Sequence, residues 1–190
     1  MTTGYLNSAV IDGITYNRQQ LQRDAAALVY AYSVNIGTDS QRTKPVVIGE
    51  TDLDQVGNQE PDPLLVGDTD GIWLHNFTWA HINHEGVSAL IWDPIYIRNN
   101  NLYPRYRKFM EFMDDIPLNN GRYEPLNASA SNSWLRVWGQ VDNAGIAAHF
   151  WVQNRQHTWH RVIVQEITPT PIDGTITING LVEGNAELEW

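Results

Sequence analysis

Two short apolar runs separated by a helical period constrain this chain more than any other feature. The first holds Val46, Val47 and Ile48; it follows Lys44 and Pro45 and runs into Gly49 and Glu50. The second, residues 87–92 (VSALIW), runs into Asp93 and Pro94. Continuous apolar runs of this length read as strands buried on both faces, and Pro45 fits only the start of such a strand. Between them Trp73, Phe77 and Ala80 form one row, with Ile72, Trp79 and Ile82 beside it. That is a helical face, which Thr69 or Asp70 can cap and Gly86 can end. Strand, helix, strand over about 45 residues predicts a parallel βαβ unit with a right-handed crossover. Glu50 and the Trp92–Asp93 pair would then emerge at one edge of one sheet, around a shared crevice.

The flanking segments extend this pattern. Residues 1–16 are turn-prone without a strong period. From Asn17 a helix is expected, with Leu21, Ala25, Leu28, Val29 and Tyr32 on one face and Asn35 and Gly37 at its end. A third helix is expected over residues 102–116. Leu102, Tyr106, Phe109, Met113 and Ile116 form its stripe, Pro104 sits in its first turn and Pro117 stops it. Beyond Pro117 the period changes from helical to alternating. Strands are predicted around Trp134–Trp138 and over residues 146–152, 157–164, 175–181 and 186–190. This divides the chain into an α/β part, residues 1–117, and an all-β part, residues 118–190, expected to be a small β-sandwich. The last strand runs to Trp190 without a closing turn, so the chain is expected to be a piece of a longer protein.

Composition removes several function classes. A net charge of −10 with only 12 scattered basic residues argues against a nucleic-acid partner, which requires clustered Lys and Arg. The absence of cysteine excludes disulfides and thiolate metal sites. No apolar run approaches the roughly 20 residues of a membrane helix, and the first ten residues do not read as a signal peptide. His81 and His84 stand three apart, but without a third ligand they are read as surface or capping residues. Asp52, Asp54, Glu60 and Asp62 fit no calcium-loop spacing and are read as a solvated loop. No cofactor or metal is expected. Eight Trp and eight Tyr point instead to sugar, because aromatic faces stack on the C–H faces of pyranose rings, although they also fill cores.

Four stretches in order carry a resemblance: KPVVIGE, DGIWLHNFTWA, ALIWDPIYI and NLYPRYRKFMEFMDDIPL. Together they resemble the C-terminal part of the (β/α)8-barrel glycoside hydrolases of the cellulase/mannanase superfamily (clan A, family 5-like). AHFWVQNRQHTW resembles the β-domain that follows the barrel in some members. The match covers most of residues 20–190. It implies a partial (β/α)8 TIM barrel, its last strands and helices, followed by the β-sandwich. It also implies an extracellular setting and a β-linked polysaccharide or oligosaccharide as substrate.

By that resemblance Glu50 matches the nucleophile, Trp92 the aromatic beneath the sugar at the cleaved bond, and Asp93 sits beside it. Retaining hydrolysis needs two carboxylates about 5–5.5 Å apart, one ionised and one held protonated as general acid. The family's acid/base Glu follows an Asn on an earlier strand; this chain has no Asn-Glu dipeptide. A whole barrel takes about 250 residues, so this chain alone is expected to lack the acid and to turn over glycosides negligibly. The alternatives are a non-catalytic carbohydrate-binding or structural module, and an unrelated α/β domain.

Overall fold

The computed structural model describes residues 8–37, 65–83, 94–118 and 121–189. It begins with a hairpin, β1 (Ser8–Ile11) against β2 (Ile14–Asn17). Asp12 and Gly13 both take positive φ, 51° and 76°. Two left-handed residues make the tight turn whose twist matches an antiparallel pair, which is why an Asp-Gly dipeptide stands there. Asn17 then caps α1 (Arg18–Arg23) through a capping box with Gln20.

The single helix expected from Asn17 to the Asn35–Gly37 region is two helices. Asp24 leaves the helical conformation (φ −126°, ψ 93°) and restarts the chain as α2 (Ala25–Gly37). Its Oδ1 accepts from the Ala27 amide at 3.1 Å, the competition with the backbone that makes Asp a helix starter. The next helices are α3 (Ile72–Trp79), which tightens into a 3-10 turn over Ala80–Ile82, α4 (Pro94–Asn99) and α5 (Tyr103–Asp114).

Neither Thr69 nor Asp70 supplies the side-chain bond that starts α3. The carboxylate of Asp68, fully buried, accepts from the amides of Ile72 and Trp73 at 2.8 Å each and from the Tyr96 hydroxyl at 2.9 Å. It thereby ties the start of α3 to α4.

Five strands follow: β3 (Tyr123–Pro125), β4 (Asn127–Ala130), β5 (Leu135–Asp142), β6 (Ala148–Asn154) and β7 (Ile176–Asn179). They form a three-stranded sheet, β3-β5-β6, and a two-stranded sheet, β4-β7, both antiparallel. Gly139 of β5 pairs with Phe150 of β6. A Cβ there would meet the His149 carbonyl and Phe150.

The described residues do not form the expected partial barrel with its trailing sandwich. The described strands make three small sheets of two, three and two strands, every pair antiparallel, and no barrel closes among the described residues. The architecture is mixed α/β. The physical reason is connectivity: among the described residues no α-helix separates two paired strands. Tight turns such as Asp12–Gly13 join only antiparallel neighbours, whereas parallel pairs need a long crossover. The two runs read as parallel strands, residues 46–48 and 87–92, lie outside the described residues.

Two strand assignments in the β-rich part also change. Residues 157–164 contain a π-helical turn, His160–Val164, closed by the Gln165 amide on the His160 carbonyl at 2.9 Å. Residues 186–189 form no strand, and Trp190 lies outside the described residues.

One core runs through these elements. Trp73 and Phe77 stack at 4.9 Å, and both are buried with Leu21, Ala26, Leu65 and Ile82. Trp138, Trp151 and Trp159 from the β-rich part join the same cluster.

Candidate functional site

Glu50, Trp92 and Asp93, the residues to which the resemblance assigns chemistry, lie outside the described residues. So do His84 and the acidic residues of 52–62. What the structure brings together is a different set, drawn from α3 and from the edge of the sheet.

The inward face of β5 and β6 is unusual for a core. Alternation turns Arg136, Trp138 and Gln140 of β5 and His149, Trp151 and Gln153 of β6 to one side, and all six are buried. Polar groups there must find partners, and most do. The Arg136 guanidinium, with no exposed side-chain surface, makes a two-pronged pair with Asp24. Its Nη1 donates to Oδ1 at 3.2 Å and its Nη2 to Oδ2 at 3.0 Å. Nη1 also donates to Gln153 Oε1 at 2.8 Å, and Nη2 to the Tyr16 hydroxyl at 3.2 Å. The Cζ lies 4.3 Å from the centroid of the Trp138 ring, which stacks on Tyr30 at 4.5 Å. Burial alone would lower the Arg136 pKa. The Asp24 charge and its hydrogen bonds outweigh that and raise it.

Where this face meets α3, a cavity of about 350 Å³ opens. Trp151 and His75 meet edge to face at 6.2 Å on one side of it. His75 also touches Trp79 at 6.1 Å, and Trp79 packs on Phe109 and Phe112 of α5. Gln153, Asn154, His157, Pro169, Thr170 and Pro171 also line the cavity. Two amides fix this frame. Asn76 Nδ2 donates to the His157 carbonyl at 2.9 Å, and Asn154 Nδ2 donates to the Thr170 carbonyl at 3.0 Å.

The cavity lies on the free edge of the sheet, because β6 is its terminal strand among the described residues. The Arg155 amide bonds the Trp134 carbonyl and the Asp142 amide the Ala147 carbonyl, each at 2.8 Å. These fix which cross-strand pairs exchange hydrogen bonds. By alternation Val152, between them, points its own N–H and C=O away from β5. Gln153 Nε2 is buried without a hydrogen-bond partner.

His75 has its pKa lowered to about 4, first by burial, then by the charges of Arg105 and His157. It is therefore neutral at ordinary pH, with one nitrogen able to donate and the other to accept. His81, read from sequence as a surface or capping residue, is buried. Its Nδ1 lies 2.9 Å from the Phe77 carbonyl, and burial lowers its pKa to about 4. Among the described residues no group of three or more His, Asp or Glu could hold a metal ion, and no helix is long and apolar enough to cross a membrane.

Sequence reasoning picked out AHFWVQNRQHTW and DGIWLHNFTWA separately and did not foresee that His75, Trp151 and His157 meet. Compared with family models, curated proteins and solved structures, the chain matches none.

Proposed function

We propose that this chain belongs to a protein acting on β-linked glycans by retaining hydrolysis, with Glu50 as the nucleophile. In that chemistry a Glu50 oxygen attacks the anomeric carbon as the bond to the leaving oxygen breaks. A second carboxylic acid protonates that oxygen, and water then hydrolyses the glycosyl ester. Trp92 would stack under the sugar at the cleaved bond, with Asp93 beside it.

One observation supports the reading: three of the stretches that together carry the resemblance meet in space. DGIWLHNFTWA supplies His75 and Trp79, NLYPRYRKFMEFMDDIPL supplies Phe109 and Phe112, and AHFWVQNRQHTW supplies Trp151. Their rings form one continuous cluster.

The test is turnover of aryl β-glycosides and of soluble β-glucan or mannan by the protein in its natural full length. Glu50→Gln should lower the rate roughly 10³-fold or more, as removing a covalent nucleophile does. Turnover that Glu50→Gln leaves unchanged would remove Glu50 from the mechanism and the reading with it.

A further inference from the structure

The two sides of α5 differ. One is packed: Phe109 is buried, and Phe109 and Phe112 meet Trp79 of α3. The other presents Tyr103, Arg107, Met110 and Asp114, whose spacing of four, three and four places them in one row along the helix. All four are exposed, Tyr103 at 56% and Met110 at 68%. Lys108, Glu111 and Asp115 flank the row on one side and are exposed as well. Among the described residues, no ion pair or hydrogen bond engages the side chains of Arg107, Lys108, Glu111 or Asp114.

The order of charge along α5 is the reverse of what an isolated helix favours. Arg105, Arg107 and Lys108 stand in its N-terminal half, Glu111 and Asp114 in its C-terminal half, and Asp115 follows. Its first turn holds no acid and its last turn no base. The macrodipole favours anions at the start of a helix and cations at its end. The opposite-charge neighbours, Arg107 and Lys108 with Glu111, also stand in the weaker, cation-first orientation. Laid antiparallel on a second copy, the same order becomes complementary along its length, and the two macrodipoles oppose each other.

We infer that α5 is a self-association surface, on which a second copy of this chain packs its own α5 antiparallel about a two-fold axis. An axis between Met110 and Glu111 sets Arg107 against Asp114 of the copy and, by symmetry, Asp114 against Arg107 of the copy. Met110 then meets its equivalent at the axis, and Lys108 reaches between Glu111 and Asp115 of the copy. A different protein with an acidic segment would engage the basic half alone and leave Glu111 and Asp114 unmatched. A copy matches both halves. The residues of α5, Tyr103–Asp114, span about 18 Å. The contact is therefore small and transient, with a Kd on the order of 100 µM.

Sedimentation equilibrium of the 190-residue chain, from about 10 µM to about 1 mM, should show monomer–dimer exchange. Raising salt from roughly 50 mM to roughly 0.5 M should weaken it several-fold, because exposed pairs are screened. Arg107→Glu and Asp114→Arg should each weaken dimerisation at least tenfold, since each sets two like-charge pairs across the axis. Both changes favour the macrodipole of α5, so lost association does not come from a lost helix; far-UV circular dichroism checks this. The double variant Arg107→Glu/Asp114→Arg should dimerise as the unaltered chain does. An equimolar mixture of the two single variants should form a heterodimer.

A chain that stays monomeric throughout that range overturns the inference. So does association that salt or the single variants leave unchanged, or a double variant that associates no better than the singles.

Discussion

Replacing Arg136 with Met would remove the charge at the centre of the fold while keeping most of the side chain's length. Four acceptor contacts depend on that guanidinium: both Asp24 oxygens, Gln153 Oε1 and the Tyr16 hydroxyl. The Arg136 side chain is fully buried and the Asp24 side chain is 11% exposed, so water cannot replace the lost partner well. Breaking a buried pair by removing one member costs about 3–5 kcal/mol, because the remaining charge stays uncompensated. For a chain of this size that corresponds to a fall in Tm of roughly 6–20 °C. The complementary change, Asp24→Asn, leaves the guanidinium only the more exposed Asp12, 3.7 Å from its Nε, as an anionic neighbour and should also destabilise the fold, by less than Arg136→Met. The double variant Asp24→Asn/Arg136→Met removes both charges, and its loss should fall well short of the sum of the two single losses. Urea denaturation of the four proteins gives this coupling directly. Arg136→Met within about 0.5 kcal/mol of the unaltered chain would place the pair among solvated surface contacts. It would refute the view that this pair joins the N-terminal hairpin and helices to the β5–β6 ladder.

Asp68→Ala should destabilise by roughly 2–4 kcal/mol, because two first-turn amides of α3 and the Tyr96 hydroxyl lose a buried acceptor together; thermal denaturation measures it. Burial lowers the folded-state pKa of His75, His81 and His149 to about 4, below the ordinary value of 6.5. Below about pH 6.5 the unfolded chain therefore binds more protons than the folded one. Stability is full above that pH and is lost as pH falls toward 4, by up to roughly 1.4 kcal/mol per pH unit for each histidine. Urea midpoints between pH 7 and 4 check this, and His81→Phe should flatten the slope.

Much of the secondary structure was legible because it is periodic. The Trp73–Phe77 row, the Phe109 stripe and the alternation around Trp138 all mark described elements. What escaped has identifiable causes. The Asp12–Gly13 hairpin signal is present but is flanked by too few alternating residues to stand out from a turn-prone stretch. The apolar run Val162, Ile163, Val164 reads equally as strand or helix, and Thr158 decides between them. Its carbonyl accepts the Val162 amide at 3.0 Å and its hydroxyl lies 3.4 Å from the Arg161 amide. The barrel was inferred from two apolar runs outside the described residues, and a resemblance supplied the closure that the described antiparallel sheets do not make. The cavity could not be read at all. It depends on Asn76 reaching the His157 carbonyl, 81 positions away, and no local period encodes such a contact.

The assignment of Glu50 is tested most directly by trapping its ester. A 2-deoxy-2-fluoro-β-glucosyl or β-mannosyl donor with a dinitrophenolate leaving group needs no proton from a general acid. A retaining nucleophile can therefore be labelled even where the second carboxylate is absent. The intact mass should rise by one fluorosugar, the adduct should map to the peptide carrying Glu50, and Glu50→Gln should prevent it. No adduct at saturating reagent, or an adduct on any other carboxylate, would contradict the assignment.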